Sequence, residues 1–346
     1  MSSAPSAADP APVGSIPPVS RLLFGTTSYV VPADLLPNVR LLAPFVDDIE
    51  VVLFEGDSSN LPTRAVVAEM GRIASDAGCG FSIHLPLDVG IGELAPAARR
   101  RGQDVCLRVI DLTLGLEPHA YVVHPELPLV YHPALGEPPE PLDCLPAEIH
   151  AGWQAALSES LGRLRVETGP YPLAVENLQF TYAWVKPLLE QHDLGVTMDV
   201  GHLLLHGGEV AGHVREFGER LTVVHMHGIV EGRDHREIGS FARPELVEML
   251  KTIAAAPTSK PVWSKPSGGQ PDGPGARRPE VVVSLEVFGW KPTVPSLRVL
   301  ADVLEGARVS EAVGVLDGRG AARRLRSGAD AIMRALPTWD PAVEET

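Results

Sequence analysis

Eight short runs rich in Val, Ile and Leu recur along this chain, and an amphipathic stretch follows each one. The runs are RLLFGTTSY (21–29), IEVVLFE (49–55), FSIHLPL (81–87), AYVVHPE (120–126), LAVENL (173–178), LGVTMDVGH (194–202), LTVVHMHG (221–228) and VVVSLEVF (281–288). Short apolar, β-branched runs suit strands buried on both faces. The intervening stretches, such as TRAVVAEMGRIASDAG and PAEIHAGWQAALSESLGRLRVETG, space their apolar residues as helices do. Strands alternating with helices form parallel βαβ units. Eight units in 346 residues fit a closed (β/α)8 TIM barrel. The competing fold, a doubly wound open sheet, expects a glycine-rich phosphate loop after its first strand, and this chain has GTTSY there.

The barrel is expected over residues 21–310, as a single domain. Residues 1–20 are Pro, Ala and Ser with little charge and are expected to form a disordered tail. Residues 311–346 are expected to add a C-terminal helical extension built on GAARRLRSGADAIMRAL. Two Pro-rich segments interrupt the rhythm. Residues 126–146 follow strand four, on the functional face of a barrel, and are expected to form a lid or substrate wall. Residues 256–280 are low-complexity, enter strand eight from the opposite face, and are expected to be mobile and remote from any chemistry.

Composition narrows the partners. A formal charge of −15 repels phosphate backbones and disfavours a nucleic-acid partner. A small anion remains possible beside a bound cation. No apolar run reaches the ~18 residues of a membrane span. The N-terminus lacks the basic and apolar regions of a secretory signal, so a cytoplasmic protein is expected. Cys79, Cys106 and Cys144 form no CxxC pair. Nothing in the chain specifies an oligomer.

The strand ends carry the chemistry. Glu55 ends the second run, His84 and His124 sit on the third and fourth, and Glu176 ends AVE on the fifth. MDVGH on the sixth gives Asp199 and His202. The seventh gives His225 and His227, its following loop adds Asp234 and His235, and SLEVF on the eighth gives Glu286. Taken singly, a strand-terminal His is more often a hydrogen-bonded core residue than a ligand, Asp199 equally suits the opening of an Asx turn, and Glu55 equally suits a wall. Six of the 12 histidines nevertheless fall at strand ends or just beyond them. In a parallel barrel all those ends share one rim. Imidazoles and carboxylates gathered there suit a divalent metal: Zn²⁺ first, with Mn²⁺ or Fe²⁺ as alternatives. Arg233 and Arg236 flank His235 and are candidates for contacting a phosphate, although solvated loop charges are the commoner outcome.

The motifs AVEN, MDVGH, VVHMHG, GRDH and SLEVF resemble the xylose-isomerase-like barrel superfamily, which includes sugar isomerases and epimerases and the endonuclease IV type of abasic-site nuclease. The resemblance spans about residues 21–306. Within that group, FGTTSYVVPADLLPNVRLLAPFVDDIEVVLFE, the SNLP after it and SIHLPLD look closest to the cobamide-remodelling phosphodiesterases (the CbiR group). The resemblance implies one to three metal ions. Glu176, Asp199, His225 and Glu286 match the shared ligand core. His84 and His124, with Glu176, match the holders of a second ion in the nuclease type. His202 and His235 match ligands of a third. The nuclease pattern places an Asp two residues before that last His; Arg233 stands there, and the acid is the adjacent Asp234. His227 replaces a polar amide and is expected to bind substrate or support a ligand, with Glu55, Arg233 and Arg236 also on the substrate side.

The implied activity is hydrolysis of the nucleotide loop of a cobamide, giving cobinamide phosphate and an α-riboside. A metal can make water a nucleophile near neutral pH, so the residues support hydrolysis chemically. The alternative is a sugar or sugar-phosphate isomerase or epimerase with Glu176 and Glu286 as an acid–base pair across one ion. An abasic-DNA nuclease is disfavoured by the charge. A non-catalytic corrinoid or sugar carrier is a further alternative.

Overall fold

The computed structural model describes residues 21–53, 61–127, 146–257, 280–306 and 318–338. Glu55 and Cys144 fall outside them, as do the N-terminal tail and nearly all of both Pro-rich segments, so those expectations concern residues beyond the description.

Eight parallel strands close into a barrel. They are β1 (Arg21–Thr27), β2 (Asp48–Val52), β3 (Gly80–His84), β4 (Tyr121–Val123), β5 (Leu173–Glu176), β6 (Gly195–Asp199), β7 (Leu221–Met226) and β10 (Glu280–Leu285), with β10 returning beside β1. Two further strands, β8 (Gly228–Val230) and β9 (Arg233–Arg236), form a separate antiparallel hairpin. The helices are α1 (Leu35–Leu42), α2 (Arg64–Ala77), α3 (Pro96–Thr113), α4 (Ala147–Glu167), α5 (Lys186–Gln191), α6 (Val200–Leu205), α7 (Val210–Phe217), α8 (Arg243–Ala254), α9 (Trp290–Leu304) and α10 (Gly318–Ala335). The expected C-terminal helix is α10, which packs on α9 and α1.

Side chains alternate between the two faces of a strand, so the pairing register identifies the lumen face. The register runs Thr27 to Glu50, Glu50 to Ser82, Val52 to His84, His84 to Val122, Val122 to Ala174, Glu176 to Thr197, Asp199 to His225, and His225 to Ser284. Leu23, Ala120, Val122, Ala174, Val223 and Val282 form a small apolar cluster of their own at one end of this lumen. Two residues beyond Val122, Ala174, Val223 and Val282 stand His124, Glu176, His225 and Ser284. The odd-numbered residues of β2, Ile49 and Val51, belong instead to the large core between barrel and helices.

Two local readings are corrected. Residues 200–202, taken as the end of strand six, begin α6. Asp199 ends the strand and caps that helix, its Oδ1 accepting the His202 N–H at 2.6 Å. This satisfies an otherwise orphaned helix N–H, as an N-cap acid does. The stretch after β7, read as a loop, is the hairpin β8–β9. Glu231 and Gly232 connect its strands with φ of 53° and 72°. Positive φ at both connecting residues is what a type I′ turn requires, and glycine tolerates it without strain.

Candidate metal centre

β2, β3, β5, β6 and β7 each deliver at least one lumen-facing acid or imidazole, and residues just beyond β4 and β10 complete the set. Exposure rises from floor to mouth. The side chains of Glu50 and His225 are 0% exposed, His124 15% and Asp234 38%.

Oε2 of Glu176 lies 3.3 Å from His84 Nε2, 3.2 Å from His124 Nε2 and 3.3 Å from His225 Nδ1. Three strands thus aim imidazole nitrogens at one buried carboxylate oxygen. His225 Nδ1 is also 3.0 Å from Glu286 Oε2 and 3.8 Å from Asp199 Oδ2. One ligand atom from each of Glu176, Asp199, His225 and Glu286 falls within a 4.8 Å cluster, and His84, His124 and Glu176 form a second such cluster. A third comprises His202, His227 and His235.

The outer nitrogens show what the inner ones are for. A carbonyl oxygen can only accept, so the nitrogen beside it must carry the proton. His84 Nδ1–H therefore donates to Leu85 O at 2.9 Å, His202 Nδ1–H to Asn177 O at 3.2 Å, and His235 Nδ1–H to Glu286 O at 3.0 Å. By the same logic His124 Nδ1–H donates to the Glu126 carboxylate at 3.0 Å, and His225 Nε2–H to Glu50 Oε1 at 2.8 Å. In each neutral ring the other nitrogen presents a lone pair. Metal-binding histidines are oriented in this way, with the distal N–H held by a carbonyl or carboxylate.

His227 breaks the pattern. Its Nδ1 accepts the His235 backbone N–H at 2.9 Å, so its proton is on Nε2, which donates to Asp199 Oδ2 at 2.9 Å. Both nitrogens are occupied and the ring is fully buried. It braces Asp199 and the hairpin instead of facing the mouth. Gly201 makes room for it, since a Cβ there would collide with the imidazole Cε1.

Among the described residues, four buried atoms of the centre, Glu50 Oε2, Glu176 Oε1, Glu286 Oε2 and His225 Nδ1, have no hydrogen-bond partner. Such atoms are costly to bury unless something else satisfies them. A divalent cation fits: the donors are oxygen and imidazole nitrogen, and the surplus is negative. Burial disfavours charge on His124, but Glu176 and Glu126 outweigh it and push the imidazole up to about 10. Burial likewise opposes charge on His202, yet Asp199 and Asp234 lift it to about 10. Burial opposes ionisation of Glu176 too, and His225 with His124 holds it well below the usual carboxylate range. These acids attract positive charge, and protons supply it when no metal does.

Of the candidates read from sequence, His84, His124, Glu176, Asp199, His202, His225, His227, Asp234, His235 and Glu286 converge here. Asp234 Oδ2 is 3.6 Å from His202 Nε2. Arg233 and Arg236 lie exposed on the hairpin. Glu50, Glu126 and Asn177 were missed. Asn177 fixes Asp199 by accepting its N–H at 2.8 Å and donating to its carbonyl at 3.0 Å. Glu50 had a signal, because DIEV alternates acid and apolar residues as a strand with one polar face does.

No known family profile matches the sequence, and no curated protein resembles it significantly. Solved structures do share its fold. A D-tagatose 3-epimerase-like protein matches with a TM-score of 0.57 at 18% identity, covering 84% of this chain and 99% of the other. An AP endonuclease of family 2 from Brucella melitensis matches at 0.52 and 11%, covering 78% and 93%. A xylose isomerase-like TIM barrel/4-hydroxyphenylpyruvate dioxygenase fusion protein matches at 0.53 and 16%, covering 86% of this chain and 45% of the other. The shared fold is a closed (β/α)8 barrel, and in this chain several clusters of His, Glu and Asp at its rim could bind a metal.

Proposed function

We propose that this protein is a divalent-metal-dependent phosphodiesterase acting on a small anionic substrate, and that the substrate is the nucleotide loop of a cobamide. The observation that carries the hydrolase is the convergence of His84, His124 and His225 on Glu176 Oε2. A single-ion centre built from Glu176, Asp199, His225 and Glu286 has no need of His84 and His124. Their lone pairs prepare a second position beside the first. The cobamide rests on the opening resemblance, FGTTSYVVPADLLPN with SIHLPLD.

Glu176, Asp199, His225 and Glu286 would hold one cation, and His84 and His124 with Glu176 another. His202, His235 and Asp234 offer a third position. Zn²⁺ suits the nitrogen-rich sets, with Mn²⁺ or Fe²⁺ as alternatives. Such ions offset phosphate charge and make water nucleophilic near neutral pH. The chain's own contribution is orientation and proton handling. Glu286 is 5% exposed while Glu176 and Glu50 are 0%, so Glu286 is the buried glutamate placed to exchange a proton with solvent. Arg233 and Arg236, exposed beside the mouth, are free to meet an anionic substrate. Among the described residues a thiolate nucleophile is disfavoured, because burial pushes the Cys106 thiol up to about 12 and the Cys79 thiol higher.

The likeness to a D-tagatose 3-epimerase-like protein favours a second reading, a sugar or sugar-phosphate epimerase or isomerase. Glu176 and Glu286 would then act as acid and base on one substrate carbon. One pair of assays separates the two. Under the phosphodiesterase reading, adenosylcobalamin loses its lower-ligand riboside, and a chelator stops the loss. Under the epimerase reading, cobalamin is untouched and a ketohexose takes up solvent deuterium at carbon.

A further inference from the structure

Glu50 lies inside β2 and not at its end, is fully buried, and accepts the His225 Nε2–H at 2.8 Å. His225 has a single alternative tautomer, and in it the Nδ1 lone pair would be replaced by a proton aimed at Glu176, Asp199 and Glu286. We propose that Glu50 is a positioning residue of the metal centre: its carboxylate holds His225 in the Nε2–H form and at the ring angle that turns Nδ1 toward the three acids.

Three observations support this. The register places Glu50 and His225 on the same lumen face, with Glu50 opposite Ser82 and His225 opposite Ser284, so the contact is built by strand pairing and not by a mobile loop. Among the described residues nothing else holds the Nε2 side of the ring, since the one hydrogen bond found for that nitrogen goes to Glu50. The acceptor is also a carboxylate oxygen, and carboxylate partners orient metal-bound imidazoles and raise the basicity of the opposite nitrogen. His84, His202 and His235 are held by backbone carbonyls. His225, whose Nδ1 lies within 3.8 Å of three acids, is held by a buried acid.

A rival role is visible. Glu50, His84 and His225 themselves fall within one 4.8 Å cluster, so Glu50 could ligate an ion directly. His225 Nε2 cannot both donate to Glu50 and bind that ion, so the two roles exclude each other. The inference rests on the metal reading of the site and not on the substrate.

Co²⁺ titration of the full chain tests it, followed by calorimetry and by visible d–d absorption. Glu50→Gln keeps an acceptor oxygen but removes the charge, and Glu50→Leu removes both. The expected result is Co²⁺ affinity about tenfold weaker for Glu50→Gln and about 100-fold weaker for Glu50→Leu, the range for lost outer partners of metal-bound histidines. The d–d bands shift and the number of bound ions is unchanged. A lower melting temperature with unaltered Co²⁺ affinity and spectrum makes Glu50 merely structural and overturns the proposal. Loss of one Co²⁺ per chain makes it a ligand and also overturns it. Should Glu50→Leu fail to fold, the near-isosteric Glu50→Gln decides alone. Wild-type protein that binds no Co²⁺ overturns the metal reading together with this inference.

Discussion

The backbone N–H of His235 donates to Nδ1 of His227 at 2.9 Å, and that bond commits the proton of His227 to Asp199. His235 holds this place with φ of 50°, a backbone conformation that costs a non-glycine residue energy. The hairpin, the buried imidazole and the acid capping α6 therefore form one connected unit. Strain at His235 is offset by the hydrogen bond it makes possible.

Breaking that unit should loosen the centre without removing a ligand. His227→Ala leaves one face of Asp199 unbraced, and Gly201→Ala forces a methyl group into the His227 ring. Both are expected to weaken metal binding about 10- to 100-fold. Calorimetric titration with Zn²⁺ checks this, and wild-type affinity in Gly201→Ala would show that the imidazole does not brace the site.

His84→Ala and His124→Ala separate a two-position centre from a one-ion centre. Each is expected to lower the metal content by one ion per chain and to abolish phosphodiester hydrolysis. Content measured by plasma mass spectrometry provides the check. Unchanged stoichiometry in both variants would favour the epimerase reading.

Metal binding should expel protons. In the metal-free protein His124 and His202, each pushed up to about 10, carry protons at pH 8. A ligand must be deprotonated to bind, so loading releases them. Binding heats measured at pH 8 in two buffers of different ionisation enthalpy should differ by about one proton or more per chain. Affinity should rise with pH through this range. Equal heats in both buffers would contradict the assignment.

His213 should make the fold less stable in acid. It is buried on α7 between Tyr182 and Phe217, its Nε2 lacks a partner, and burial pushes it down to about 4. Because the folded value lies below the unfolded one near 6.5, the unfolded chain binds the extra proton between them. Stability from this residue is complete above pH 6.5 and lost as pH falls toward 4, by about 2–3 kcal/mol. Urea denaturation from pH 7 to 4 should show that slope, and His213→Gln should flatten it.

The sequence by itself determined the barrel. Its alternation of apolar runs with amphipathic stretches admits few topologies, because every strand needs both faces covered. It also determined which side chains meet: parallel strands end on one rim, so Glu176, Asp199, His225 and Glu286 were legible although spread over 111 positions. Tertiary structure decided what each one does. Which nitrogen of each imidazole carries the proton depends on the acceptor across the lumen, as with Leu85 O for His84 and Glu50 for His225. Glu50 stayed hidden because it lies inside its strand, not at the strand's end, and only the register shows that it faces His225. The β8–β9 hairpin depended on a two-residue turn whose left-handed backbone a single Glu-Gly pair barely announces. Periodicity reports which face a residue occupies, whereas hydrogen-bond direction arises from contacts between strands far apart in sequence.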